Sequence, residues 1–78
     1  MKWKEAVKAA LRRMLARHPS GIITLRELTE CELSQIIKDT NSRGKTPERS
    51  LQRELQELRD LGVLEFMDPG TYRILGGL

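Results

Sequence analysis

The chain has 78 residues and a net charge of +3 at pH 7, with 38% hydrophobic and 32% charged residues. This length allows one domain, residues 1–78, and no apolar run approaches the roughly 18 residues that a membrane-spanning helix needs. The charged amino-terminal stretch does not resemble a secretory signal. The single cysteine, Cys31, cannot form an intrachain disulfide, which fits a reducing compartment. We therefore expect an intracellular, cytoplasmic protein.

The first predicted helix covers about residues 2–17 and carries most of the positive charge. Residues 1–20 contain six lysines and arginines but one acid, Glu5. Its predicted buried stripe recurs at helical spacing and consists of Trp3, Val7, Ala10, Leu11, Met14 and Leu15. Residues 18–21 should end this helix, after which Ile22 and Ile23 predict a short apolar strand.

The second predicted helix begins after Thr24, which can form a capping box with Glu27. Its apolar positions are Leu25, Leu28, Leu33, Ile36 and Ile37. Because Glu30, Cys31 and Glu32 interrupt the apolar stripe, the pattern predicts a kink or two shorter helices. A polar loop over residues 39–45 follows, with a composition typical of a flexible connection.

The third predicted helix has signals at both of its ends. Thr46 is a favourable N-cap residue, and Pro47 occupies the first helical position, where its missing N–H costs nothing. Gly62 can adopt the left-handed conformation that commonly ends a helix. Between them, a leucine stripe recurs at helical spacing, and it consists of Leu51, Leu55, Leu58 and Leu61.

The period then changes from helical to extended. Residues 63–66 and 72–75 are short strand-forming runs, and the intervening Asp68-Pro69-Gly70 is typical of a turn. The complete order is helix, short strand, helix, helix, strand, strand. This order predicts an α+β fold, a single winged helix-turn-helix domain in which the first strand joins the hairpin as a third strand.

The third helix should expose the face opposite its leucine stripe. Projection at 100° per residue places Arg49, Arg53, Gln56 and Asp60 on that face. Arginine can bond guanine O6 and N7, and glutamine can bond adenine N6 and N7, so Arg49, Arg53 and Gln56 are candidate base-facing residues. In the alternative interpretation this is a solvated surface, because Glu57 lies four residues after Arg53 and can pair with it.

A second candidate group could contact phosphates of duplex DNA. A helix N-terminus with nearby basic and hydroxyl side chains can hold a phosphate. The group consists of Ser42, Arg43, Lys45, Thr46 and Ser50, with Arg73 supporting it from the hairpin. Residues 41–45 can alternatively be an ordinary polar turn. Asp68 at the hairpin tip would be repelled by phosphate, which indicates a short wing.

The charge distribution leaves a protein partner open as an alternative. Residues 45–62 contain four basic and four acidic residues, so the third helix is net neutral. Lys4, Lys8 and Arg12 repeat on one face of the first helix and could bind a DNA backbone or an acidic protein, or could simply solubilise the helix. The alternative hypothesis is a winged helix that binds another protein within a larger nucleoprotein assembly.

Residues suited to catalysis are sparse. His18 is the only histidine, and no nucleophile or carboxylate stands at an informative spacing from it. Cys31 lacks metal-ligand companions and is expected to be a buried or half-buried thiol. Glu27, Glu30 and Glu32 form no known nuclease motif. We therefore expect no enzymatic activity, metal, cofactor, small-molecule substrate or membrane partner.

The chain resembles the carboxy-terminal winged helix of the Dam-replacing restriction endonucleases, which cut DNA methylated on adenine. The similarity covers about residues 23–75 and is most specific over residues 51–66 and 70–73. These segments resemble the family's run of leucine-glutamine, leucine-arginine-aspartate-x-glycine, glutamate-phenylalanine and glycine-x-tyrosine-arginine. Thr24-Leu25, with Glu32 and Ile36, resembles the family's second-helix pattern.

This resemblance implies a module that binds duplex DNA and contributes to recognising an adenine-methylated GATC-type site in a restriction-modification system. In the family a separate amino-terminal domain is catalytic, and that domain is missing here. The resemblance thus implies an excised or autonomous DNA-binding module that could act with a catalytic partner chain.

Overall fold

The computed structural model describes all 78 residues, Met1–Leu78, as a small α+β domain. Three helices accompany one three-stranded antiparallel sheet. The elements in chain order are α1 (Trp3–Arg17), β1 (Ile22–Thr24), α2 (Leu25–Thr40), α3 (Pro47–Asp60), β2 (Leu64–Asp68) and β3 (Thr71–Ile74). This confirms the order of elements predicted from the sequence. None of the three helices is long and apolar enough to cross a bilayer.

The short first strand joins the hairpin, as predicted. The sheet has the order β1-β3-β2, and Ile23 of β1 lies opposite Tyr72 of β3. Both side chains are buried, so β1 adds to the core as well as to the sheet.

The hairpin is closed more tightly than the sequence pattern predicted. The strands extend to Asp68 and Thr71, leaving Pro69 and Gly70 as the connection. Gly70 has a φ of 78°, which glycine adopts without a steric penalty. An irregularity between Phe66 and Asp68 takes up the extra residue on the β2 side.

The buried face of α1 differs from the predicted stripe at three positions, Trp3, Ala6 and Leu15. Ala6, Val7, Ala10, Leu11 and Met14 are buried, whereas Leu15 is half-buried. Around the helix axis, Leu15 lies farther than Ala6 from the centre of the buried face. This explains why Ala6 is buried and Leu15 is only half-buried. Trp3 is also half-buried and packs against the core.

α2 is one continuous helix, so the predicted division into two shorter helices is wrong. Thr24 Oγ1 accepts a hydrogen bond from the Glu27 backbone N–H, which is one half of the predicted capping box, while the Glu27 carboxylate pairs with His18. Glu32 does not interrupt the helix because its buried carboxylate is bonded by Arg13 and Arg17 of α1. Cys31 is exposed, which corrects the expectation of a buried or half-buried thiol.

The two ends of α3 differ in how well the sequence predicted them. Gly62 has a φ of 80°, and Val63 N–H donates to the Leu58 carbonyl, a helix end of the Schellman type. Thr46 occupies the N-cap position, as predicted, but its side chain makes no capping hydrogen bond. Its backbone, at φ −131° and ψ 67°, lies outside the extended region usual for an N-cap residue.

Candidate nucleic-acid interface

α3 has an inner face that belongs to the core and an outer face that is free. Leu51, Leu55 and Leu58 are fully buried. The exposed outer face consists of Arg49, Gln52, Arg53, Gln56 and Asp60. Helical projection had predicted this division but had not singled out Gln52, which lies one turn before Gln56. Gln52 has the same hydrogen-bonding capacity as Gln56 and belongs with the candidate base-facing residues.

The predicted base-facing side chains have no partner within the protein. Arg49, Arg53 and Gln56 make no salt bridge and no side-chain hydrogen bond. No salt bridge joins Arg53 to Glu57; Glu57 Oε2 instead lies 3.4 Å from Lys4 Nζ in a salt bridge. These three side chains can therefore bond solvent or a partner, whereas Asp60 on the same face pairs with Arg59 at 3.4 Å.

The hairpin is held against the end of α3 by an aromatic contact. The Arg59 guanidinium lies 4.7 Å from the centroid of the Phe66 ring, within the range of a cation–π interaction. Phe66 in turn packs on Tyr72, with ring centroids 4.7 Å apart. Burial raises the pKa of Tyr72, so its hydroxyl remains neutral at physiological pH. These contacts fix the hairpin beside the outer face of α3.

Two carboxyl side chains, Glu54 and Glu57, lie on the side of α3 that faces α1, and Glu57 pairs with Lys4 of α1. Glu54 is only 8% exposed, and its Oε2 has no hydrogen-bond partner. Desolvation raises the pKa of Glu54, and the adjacent Glu57 carboxyl raises it further, while the charges of Lys4 and Arg53 oppose the shift. Sequence analysis missed this residue, although its spacing from Leu51 and Leu58 places it on the inner side of α3.

The loop before α3 carries further basic side chains, which directly precede the outer-face residues in the sequence. Arg43, Lys45 and Thr46 are exposed, and neither basic residue makes a salt bridge. Ser42 and Ser50 are half-buried, and Ser42 Oγ accepts from the Gly44 N–H at 3.4 Å. With its capping role absent, the Thr46 hydroxyl is free to bond a partner.

Arg73 differs from the other basic candidates, Arg43 and Lys45, because it forms a salt bridge within the protein. Its Nη1 lies 3.4 Å from Oε1 of Glu65, which stands directly opposite on β2. The salt bridge partly balances the charge of Arg73. Asp68 at the hairpin tip is exposed and makes no salt bridge, so the tip itself carries a free negative charge.

The basic stripe predicted on α1 is divided by internal contacts. Lys4 pairs with Glu57, whereas Lys8 and Arg12 make no salt bridge. Only Lys8 and Arg12 of that stripe keep uncompensated charges.

The rest of the surface contains no comparable concentration of functional groups. No set of three or more histidine, cysteine, aspartate or glutamate side chains is placed to hold a metal ion. His18 Nε2 pairs with Glu27, and both side chains are partly exposed. A shallow, open depression of about 560 Å³ lies between the start of α2 and the hairpin turn. Its lining includes Thr24, Thr29 and Thr71 and the paired Arg26 and Glu30.

Comparison with known proteins identifies no relative of this chain. No family model, curated protein or solved structure matches it. The resemblance to the Dam-replacing endonucleases rests on the residues quoted above.

Proposed function

We propose that this domain is a winged-helix module that binds double-stranded DNA through the outer face of α3. The observation that carries the proposal is the pair of exposed arginines, Arg49 and Arg53, which have no internal partner. They lie on a helix whose inner face is buried in the core and whose C-terminal end contacts the hairpin through Arg59 and Phe66. A helix held in this way can enter the major groove without rearranging the fold.

In this proposal the two residue groups have different tasks. Arg49, Arg53 and Gln56 contact base edges, where bidentate hydrogen bonds distinguish one base pair from another. Arg43 and Lys45, with the hydroxyls of Ser42, Thr46 and Ser50, contact phosphates and set the orientation of α3. Arg73 contributes least, because it must give up Glu65 in order to bind a phosphate.

The proposal is tested with two double variants that remove the same charge from different faces. Arg49→Ala with Arg53→Ala alters α3, and Lys8→Ala with Arg12→Ala removes two unpaired bases from α1. At one fixed moderate salt concentration, we expect the α3 variant to bind a duplex at least about tenfold more weakly, since each direct contact contributes about 1–3 kcal/mol. The α1 variant should lose much less. Equal losses, or no loss in the α3 variant, would contradict this assignment of the interface.

The resemblance supports a narrower proposal, recognition of adenine methylation at a GATC-type site within an intracellular restriction system. The test compares matched duplexes with and without the methyl group over a series of salt concentrations. A difference of about 1 kcal/mol or more that persists as salt rises would support the proposal, because phosphate contacts do not depend on sequence. Equal and steeply salt-sensitive binding would limit the function to general DNA binding.

A protein-binding winged helix is the second candidate, and the free negative charge of Asp68 at the hairpin tip favours it. In this case Lys8 and Arg12 would bind an acidic surface of the partner. Reversing both charges with glutamate should then abolish partner binding. In either case we propose a binding module without catalytic activity of its own, and a nuclease activity would come from a separate catalytic chain.

A further inference from the structure

The buried carboxyl of Glu54 lies directly behind the proposed DNA-binding face. Glu54 follows Arg53 in α3 and points inward, towards α1, while Arg53 points to solvent. Its Oε2 is buried without a hydrogen-bond partner, which is costly for a charged carboxylate.

The charges around Glu54 are few and nearly balanced. Lys4 is the charged group facing it from α1, and Glu57 and Arg53 face it from α3 itself. α2 and β2 supply none. Lys4 is already bonded to Glu57 at 3.4 Å, so it cannot fully compensate two carboxylates at once. Arg53 is therefore the second source of positive charge for an ionised Glu54, after Lys4.

We propose that DNA binding by α3 is coupled to protonation of Glu54, which makes the interface sensitive to pH. The coupling rests on the proposed DNA-binding function and adds a form of regulation to it. When Arg53 contacts DNA, negatively charged phosphates surround its guanidinium and offset the positive field that Glu54 had experienced. An ionised Glu54 then lies against Glu57 and near the phosphates, with less compensation than before.

The direction of the effect follows from linkage. Burial and Glu57 already raise the pKa of Glu54 above its ordinary value of 4.5, and bound DNA raises it further. The complex thus holds the proton more tightly than the free protein does. Affinity for DNA should be highest at low pH and should fall as the pH rises through the raised pKa of Glu54. If the pKa in the complex is about one pH unit higher than in the free protein, the total change is about tenfold.

Glutamine at position 54 should imitate the protonated state. Its amide is neutral and can donate to Glu57, as the protonated carboxyl would. The variant Glu54→Gln should therefore keep its full affinity as pH rises. Glu48→Gln is the matched control, because it removes an exposed negative charge from the same helix. Both substitutions reduce repulsion of DNA, but only the first removes the buried proton-binding group.

The experiment measures the affinity of a short mixed-sequence DNA duplex across the range from pH 5 to pH 8 at constant ionic strength. Calorimetry in buffers of different ionisation enthalpy reports the number of protons taken up on binding. We expect the wild type and Glu48→Gln to show the same fall in affinity and the same proton uptake. Glu54→Gln should show a flatter profile and a smaller uptake.

Failure of this inference can be distinguished from failure of the DNA-binding proposal. If Glu54→Gln binds the duplex with the same pH profile as the wild type, Glu54 is not the coupled group and DNA binding stands. If neither protein binds the duplex at any pH, even at low salt, both proposals are wrong. A merely structural role for Glu54 would change affinity at all pH values equally and would leave the slope intact, which would also overturn the inference.

Discussion

Two arginines of α1 and two arginines of α3 are used in opposite ways. Arg13 and Arg17 both bond the buried carboxylate of Glu32 and so join α1 to α2. Arg49 and Arg53 have no acidic partner, although Glu57 lies within helical reach of Arg53. The same residue type therefore stabilises the fold in one region and remains free for a partner in the other.

The two helix starts show the same contrast. Thr24 accepts a hydrogen bond from the Glu27 N–H, whereas the hydroxyl of Thr46 caps nothing. Polar groups at the start of α2 are satisfied within the protein, while those at the start of α3 are available. This difference supports the proposal that a partner binds at the loop and the outer face of α3.

The largest effect should come from removing the carboxylate that joins α1 to α2. Glu32→Ala leaves two guanidinium groups without their partner, and we expect a loss of about 2 kcal/mol in the free energy of unfolding. Loss of one member of a fully buried ion pair costs more. Here both arginine side chains are partly exposed and can turn to water. Urea denaturation monitored by circular dichroism measures the change.

The double variant Arg49→Ala with Arg53→Ala is the matched comparison for stability. Surface substitutions without internal partners usually change the free energy of unfolding by less than about 0.5 kcal/mol. If this variant were as destabilised as Glu32→Ala, the contrast between engaged and free arginines would be wrong.

The helix caps provide a second and smaller test. Thr24→Ala should cost about 1 kcal/mol of stability, because the Glu27 N–H loses its acceptor. Thr46→Ala should change stability by less than about 0.5 kcal/mol, since no side-chain capping bond is lost. Thermal unfolding of the two variants side by side measures both effects. A loss of similar size in Thr46→Ala would mean that its hydroxyl does cap α3 in solution.

The elements that the sequence predicted best are those whose signals are local. Pro47 and Gly62 mark the two ends of α3, and the Pro69-Gly70 turn marks the hairpin. Each signal depends on backbone conformation at one or two residues, so no knowledge of distant contacts is needed. The outer face of α3 was predicted for the same reason, because helical geometry alone separates it from the leucine stripe.

The elements predicted incorrectly depend on contacts between distant parts of the chain. Glu32 was taken to interrupt α2, but its partners Arg13 and Arg17 lie 19 and 15 residues earlier. Whether Arg53 forms a salt bridge also depends on α1, since Lys4 of α1 pairs with Glu57, the acid within helical reach of Arg53. A charged residue on the inner side of a helix is ambiguous until its partners are known.

The smallest effect on stability should be the pH dependence contributed by Glu54 in the absence of DNA. Burial, together with Glu57, raises the pKa of Glu54 in the folded protein above the ordinary value of 4.5. The folded state then binds this proton more tightly than the unfolded state. The stabilisation is fully present below the ordinary pKa and is lost as pH rises through the raised pKa. Lys4 and Arg53 oppose the shift and so limit the effect.

The test is the free energy of unfolding as a function of pH for the wild type, Glu54→Gln and Glu48→Gln. Stability of the wild type should decline relative to Glu54→Gln as the pH rises from about 4.5 towards neutrality. Glu48→Gln should follow the wild type, because Glu48 is exposed. If the difference between the wild type and Glu54→Gln were constant over this range, the buried carboxyl would not titrate there. The buried Glu54 carboxyl behind the outer face of α3 would then keep one protonation state over this range. Any pH dependence of DNA binding would have to arise from groups on the exposed surface.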